Sequence, residues 1–148
     1  MRAFFLVLLV AVIAVLLDAG VVRADKPPPP PYVVIVNTAN PTIRASRGFV
    51  SDAFLKKTTR WANDTVIRPA DQAEDSGVRR RFTEDVLKRS VAAVKSYWQQ
   101  IVFTGRDLPP PELGSDDEVV TFVTKHPGAI GYVAGDARIT GVKILLVE

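Results

Sequence analysis

The chain has 148 residues, with 19 basic against 16 acidic side chains, one histidine, a formal net charge of +3 and no cysteine. So small an excess of charge does not mark a nucleic-acid surface. The missing cysteines exclude disulfides, a thiolate nucleophile, a cysteine metal ligand and a lipid-bearing N-terminal cysteine, so stability must come from core burial.

The first residues carry a leader pattern. Arg2 gives a short positive region, residues 3–17 are unbroken apolar, and Val22-Arg23-Ala24 has small or β-branched residues where a signal peptidase reads. This predicts a signal peptide over residues 1–24, cleaved after Ala24, and a periplasmic protein. The alternative is an inner-membrane anchor, since residues 3–22 contain only Asp18 as a charge and are just long enough to span. Residues 25–31 follow as a Pro-rich linker. Their prolines, Pro27 to Pro31, favour extended polyproline II and cannot join a sheet, so they read as a stiff spacer. A ligand for a proline-reading module is the other reading. Residues 32–148 are then one domain.

Residues 32–36 are apolar and β-branched, a buried strand closed by the turn formers of Asn37-Thr38-Ala39-Asn40-Pro41. Ser46 reads as the N-cap of a helix to about Lys57, with Val50, Phe54 and Leu55 inward. A short strand is predicted over residues 66–69. Ser76 opens the next helix, striped by Val78, Phe82 and Val86. Ser90 opens another, with Val91, Val94, Trp98 and Ile101 on one face, ended by Thr104-Gly105. The three prolines of residues 107–114 predict a loop. Ser115 and Glu118 form a capping box for a helix that buries Val119, Phe122 and Val123. Pro127 cannot continue that helix and Gly128 is placed to take a left-handed turn. Strands over 130–133 and 142–147 finish the chain, and Gly131 inside the first of them predicts a close backbone approach. Alternating strands and helices give an α/β fold with one small mixed or mainly parallel sheet flanked by helices.

Pro127-Gly128-Ala129-Ile130-Gly131-Tyr132-Val133 is similar to a junction in periplasmic phosphate-binding proteins of ABC transporters. The ordered landmarks before it agree: Phe54-Leu55-Lys56-Lys57, Trp61, Pro69, Ser76-Gly77, Phe82, Tyr97-Trp98, Phe103-Thr104-Gly105 and Pro109-Pro110. From about Val33 to Val147 the chain resembles small PstS-like, periplasmic-binding-protein-like domains. The resemblance implies one lobe of a type 2 periplasmic binding protein and a non-enzymatic substrate-binding module. A complete receptor is much longer and clamps its anion between two lobes. Here residues 32–36 resemble the crossover strand into the second lobe.

The family's anion loop resembles Arg-Ser-Asp-Gly-Ser-Gly-Thr before a helix. In Asp71-Gln72-Ala73-Glu74-Asp75-Ser76-Gly77-Val78 the Ser76-Gly77 pair matches, the arginine is missing, and Val78 replaces a hydroxyl. The unpaired N–H groups of that helix opening still make Ser76, Gly77, Val78 and Arg79 the candidate anion-binding residues. The competing reading is structural, with Glu74 and Asp75 capping the helix and pairing with Arg79, Arg80 and Arg81. Asp71, Glu74 and Asp75 also present like charge to an incoming phosphate.

Trp61, Tyr97 and Trp98 are candidates for ligand stacking, although the stripe assigns Trp98 to the core. His126 reads as a helix C-terminal cap, and Asp116, Asp117 and Glu118 as first-turn acids. No nucleophile–base pair, glycine-rich phosphate loop, zinc set or dinucleotide fingerprint is present, so neither an enzyme nor a cofactor is expected. The expected partners are phosphate or a similar oxyanion and an ABC permease or envelope protein. No nucleic acid is expected, membrane contact comes only through an uncleaved leader, and the oligomeric state is open. Two functions remain: weak oxyanion binding linked to ABC-type phosphate transport, or a periplasmic interaction protein that keeps the fold without the ligand.

Overall fold

At the centre lies β1 (Val33–Asn37), a strand buried on both faces. The computed structural model that shows this describes residues 26–148, so the leader and its cleavage site lie outside the described residues. β1 pairs antiparallel with β6 (Ala129–Val133) on one side and with β7 (Val142–Val147) on the other. Two short parallel edges complete the sheet, β2 (Arg44–Ala45) beside β7 and β3 (Arg68–Pro69) beside β6, in the order β2-β7-β1-β6-β3. A second sheet has two parallel strands, β4 (Asp71–Gln72) and β5 (Glu112–Leu113). The sheet is therefore mixed, and β5 lies inside the segment predicted as a loop.

The alternation of β1 sorts two cores. Val34 and Val36 join the larger, with Val50, Phe54, Phe82, Val94, Trp98, Tyr132 and Leu145. Its helices are α1 (Arg47–Phe54), α2 (Gly77–Phe82) with a π-helical continuation over Thr83–Leu87, and α3 (Val91–Phe103). Ile35 joins the smaller core, with Val119 and Val123 of α4 (Asp116–Lys125) and Ala129 and Val133 of β6. The four predicted serine caps each accept from the backbone N–H three residues on: Phe49, Arg79, Ala93 and Glu118. Glu118 does not return the bond to Ser115. Its carboxylate accepts instead from the Gly114 N–H, at 2.6 Å.

The glycines around β6 explain the Pro-Gly junction. A Cβ on Gly131 would stand 2.6 Å from Cγ1 of Val119, so the bare position lets α4 lie close against the strand. Gly128 differs from expectation. It is not among the positive-φ residues, which include Gly105 and Gly141. A Cβ there would meet the Val66 carbonyl oxygen at 1.9 Å, so crowding rather than handedness demands glycine. The end of the proline run lies against the turn after β6, where a Cβ on Gly135 would be 1.8 Å from the Pro30 carbonyl oxygen. Among the described residues no helix is long and apolar enough to cross a membrane.

Candidate functional site

The register of the small sheet sets Asp71 directly across from Glu112. Like charges so placed repel. Arg79, one turn into α2, resolves the conflict. Its Nη1 lies 2.9 Å from Glu112 Oε1 and its Nη2 3.4 Å from Asp71 Oδ2, and Nη1 also donates to the Gln72 carbonyl at 2.6 Å. Arg79 is 3% exposed and Asp71 7%, so their pair is an interior one, and Glu112 reaches Arg79 from the surface.

Tyr132 closes the cluster from β6. Its ring stacks on Phe82 at a centroid distance of 4.0 Å, within the larger core. Its hydroxyl donates to Asp71 Oδ1 and accepts from the Gln72 N–H at 3.2 Å. Burial pushes the Asp71 carboxyl above its usual value, and Arg79 and the Tyr132 hydroxyl pull part of the way back. Burial, then the Asp71 charge, raises the Tyr132 phenol, which stays protonated as a donor. Burial works against the Arg79 charge, but Asp71 and Glu112 outweigh it and its ionised form is favoured.

Gln72 joins the openings of two helices. Its amide nitrogen donates to Asp116 Oδ1 at 2.8 Å and to the Tyr132 carbonyl at 3.0 Å, while its oxygen accepts from Ser76 Oγ at 2.6 Å. Asp116 Oδ1 also accepts from the Ala134 N–H at 3.3 Å. A carboxylate of the chain itself therefore takes up donors gathered between α2 and α4. Gly77 lies open, with nothing within 4 Å of where a Cβ would stand.

Ser76, Gly77, Val78 and Arg79 thus share the opening of α2, but they do different things. Ser76 caps, Gly77 is exposed, Val78 packs against the larger core, and Arg79 turns inward to Asp71 and Glu112. Glu74 pairs with Lys95 at 2.9 Å rather than with an arginine, and the Lys95 hydrogen bond holds its carboxyl below the usual range. Asp71 does not crowd the approach either, because it is buried beneath Arg79. Trp61 is 3% exposed, with its indole N–H on the Gly128 carbonyl at 3.0 Å, and Trp98 is 6% exposed. Tyr97 donates to the Leu55 carbonyl at 2.9 Å. His126 ends α4, with Nδ1 2.8 Å from the Phe122 carbonyl oxygen. Among the described residues no group of acids and histidines is arranged to hold a metal ion.

Sequence reasoning missed Gln72, Glu112 and Tyr132 as members of this cluster. For Tyr132 a signal existed: a tyrosine in a fully apolar strand needs an acceptor for its hydroxyl. Glu112, in a proline-rich segment, carried none.

The mixed sheet, with helices on both faces and β1 inserted between the last two strands, is similar in fold to lobes of periplasmic binding proteins. Solved structures similar to it include phosphate receptors. An ABC-type phosphate transport receptor from Vibrio cholerae superposes with a TM-score of 0.61 at 19% identity, over 78% of this chain and 45% of that one. A protein from Clostridium perfringens crystallised with bound phosphate, described as a phosphate ABC transporter substrate-binding protein, gives 0.61 at 20%, over 78% and 44%. PstS from Borrelia burgdorferi gives 0.54 at 14%, over 79% and 47%. The chain spans less than half the length of these receptors. No family model and no curated protein sequence matches it.

Proposed function

We propose that this chain is an exported, non-enzymatic substrate-binding-protein-like module, released after Ala24, that holds phosphate or a similar small oxyanion weakly in connection with ABC-type phosphate transport. The observation that carries this reading is the open helix start at Ser76-Gly77 in a fold shared with phosphate receptors. Backbone N–H groups at such a start favour an anion. Affinity is low for two reasons. One lobe cannot engulf the ligand, and Arg79 already balances two carboxylates. Millimolar binding corresponds to about −4 kcal/mol, within reach of a few N–H donors.

Titration with phosphate and with sulfate, followed by amide chemical shifts, tests this. Residues 76–79 are expected to move saturably, and Gly77→Val to abolish the movement by covering the N–H groups without disturbing the fold. Residues 76–79 that stay fixed at tens of millimolar anion, roughly ten times that dissociation constant, refute it.

One observation favours a second reading, a periplasmic interaction protein that has given up the ligand. Asp116 accepts from Gln72 and Ala134 where α2 and α4 converge, so the chain brings its own anion to that place. An envelope protein or a second copy is then the partner, and the anion titration stays silent.

A further inference from the structure

The chain enters the domain between two clefts that meet at Pro31, Tyr32 and Asp85. The first is mainly apolar, with Pro30, Pro31 and Val33 facing Ile144 and Leu146 of β7. Ile144 is paired with Ile35, which α4 covers, yet Ile144 itself is 44% exposed and Leu146 53%. Ile43, whose carbonyl accepts from the Leu146 N–H at 3.0 Å, is 59% exposed at the same edge.

The second cleft is charged. Arg81, Glu84, Asp85 and Lys88 line it beside Tyr32. Asp85 already accepts from the Tyr32 hydroxyl and from Arg47, and lies 3.7 Å from Lys88 Nζ. The two clefts thus hold Arg47, Arg81 and Lys88 against Glu84 and Asp85, and exposed Arg80 adds a fourth cation. Positive charge is in excess where the apolar side chains are bare. Such a surface suits a bilayer interface, which takes apolar area into the headgroup boundary and attracts cations to anionic lipid. The sequence upstream points the same way. Pro27 to Pro31 span at most about 15 Å as polyproline II, and before them residues 3–22 carry only Asp18 as a charge. A leader delivered to a bilayer therefore brings this face to it.

We propose that the face around Tyr32 is a contact surface for anionic phospholipid, with Ile144 and Leu146 entering the headgroup boundary and Arg81 and Lys88 on the lipid phosphates. The released chain keeps this contact after the leader is gone. The surface goes beyond the oxyanion reading, since it needs neither the N–H groups at Gly77 nor an uncleaved leader.

Sedimentation with vesicles tests this, on the chain beginning at Asp25, which contains every residue of both cores. Phosphatidylcholine vesicles with about a third phosphatidylglycerol are expected to carry the chain down at about 50 mM salt and to release most of it at about 500 mM. Phosphatidylcholine alone should bind at least about 10-fold more weakly. Arg81→Gln combined with Lys88→Asn should weaken binding about 10–30-fold. Both positions are exposed, and asparagine suits the left-handed backbone at Lys88, φ 54°. Leu146→Ser should weaken it about 3–10-fold. Lys125→Gln should change it less than about 2-fold, because Lys125 lies by the far end of β1, where Asn37 donates to the Val123 and Thr124 carbonyls. A chain that stays in the supernatant with anionic vesicles at low salt overturns the proposal. So does equal binding to phosphatidylcholine alone, Leu146→Ser without effect, or Lys125→Gln as damaging as the paired variant. Phosphate is read at residues 76–79 without vesicles, so either reading can fail alone.

Discussion

Replacing Arg79 by methionine keeps an unbranched stem in the core and removes the charge that Asp71 and Glu112 share. Glu112 is half-exposed and finds water. Asp71, 7% exposed, does not. Removing one partner of a buried pair costs about 3–5 kcal/mol when the other stays charged. Asp71 has an escape, because it can take up a proton, and that sets a ceiling. For a carboxyl of ordinary pKa 3.8, protonation at pH 7 costs about 4.4 kcal/mol and at pH 5 about 1.6, at about 1.36 kcal/mol per pH unit. Burial already raises the folded Asp71 pKa above the unfolded one. The folded state therefore binds the proton more tightly, and stability from this group is full below the unfolded value and lost as pH rises toward the folded one. Without Arg79 the folded value climbs further and the loss extends to higher pH. Urea denaturation should show Arg79→Met losing about 3–4 kcal/mol at pH 7 and under about 2 at pH 5. Taking the difference from wild type at each pH cancels the other titrating groups. Adding Asp71→Asn should restore most of the loss and flatten its pH dependence. A loss below about 1 kcal/mol at pH 7, or one equal at both pH values, shows that Arg79 does not hold Asp71 in place.

Three further outcomes can be checked by the same denaturation assay. Gly128→Ala should cost at least about 2 kcal/mol and perturb Trp61 fluorescence, because the added carbon meets the backbone carbonyl of Val66 and the indole bond is made to the Gly128 carbonyl. Gly77→Ala, by contrast, meets nothing and should be neutral or stabilising by up to about 1 kcal/mol. Trp98→Ala should cost about 3–5 kcal/mol, and a loss below about 1 would contradict its burial at 6% exposure.

What could be read from the sequence was what local chemistry dictates. The four serine caps, the stripe Val94 and Trp98, and the strand at residues 142–147 follow from short-range pattern, and the structure has them where the pattern puts them. The two-residue strands β2, β4 and β5 were invisible because pairs this short have no periodicity, and only their partners make them strands. The site failed for a related reason. Asp71 and Arg79 are recognisable as charges, but which way each points depends on Glu112, which comes from a distant proline-rich segment, and on Tyr132 of β6. Gly128 shows the limit from the other side. The residue was identified as special, and the reason lay in a carbonyl about 60 residues away.

β1 has a consequence for how the protein comes into being. It is the first strand of the sheet, yet it sits in the middle, with Val34 opposite Leu145 about 110 residues later. During synthesis it emerges early and waits. Neither neighbour exists until β6 and β7 have been made, so the smaller core waits for β6 and the larger, which needs Leu145, waits for β7. The closing step joins distant parts of the chain, the kind of contact that slows folding. Until then Val34, Ile35 and Val36 have no strand partner and lie bare to any holding factor that binds apolar segments.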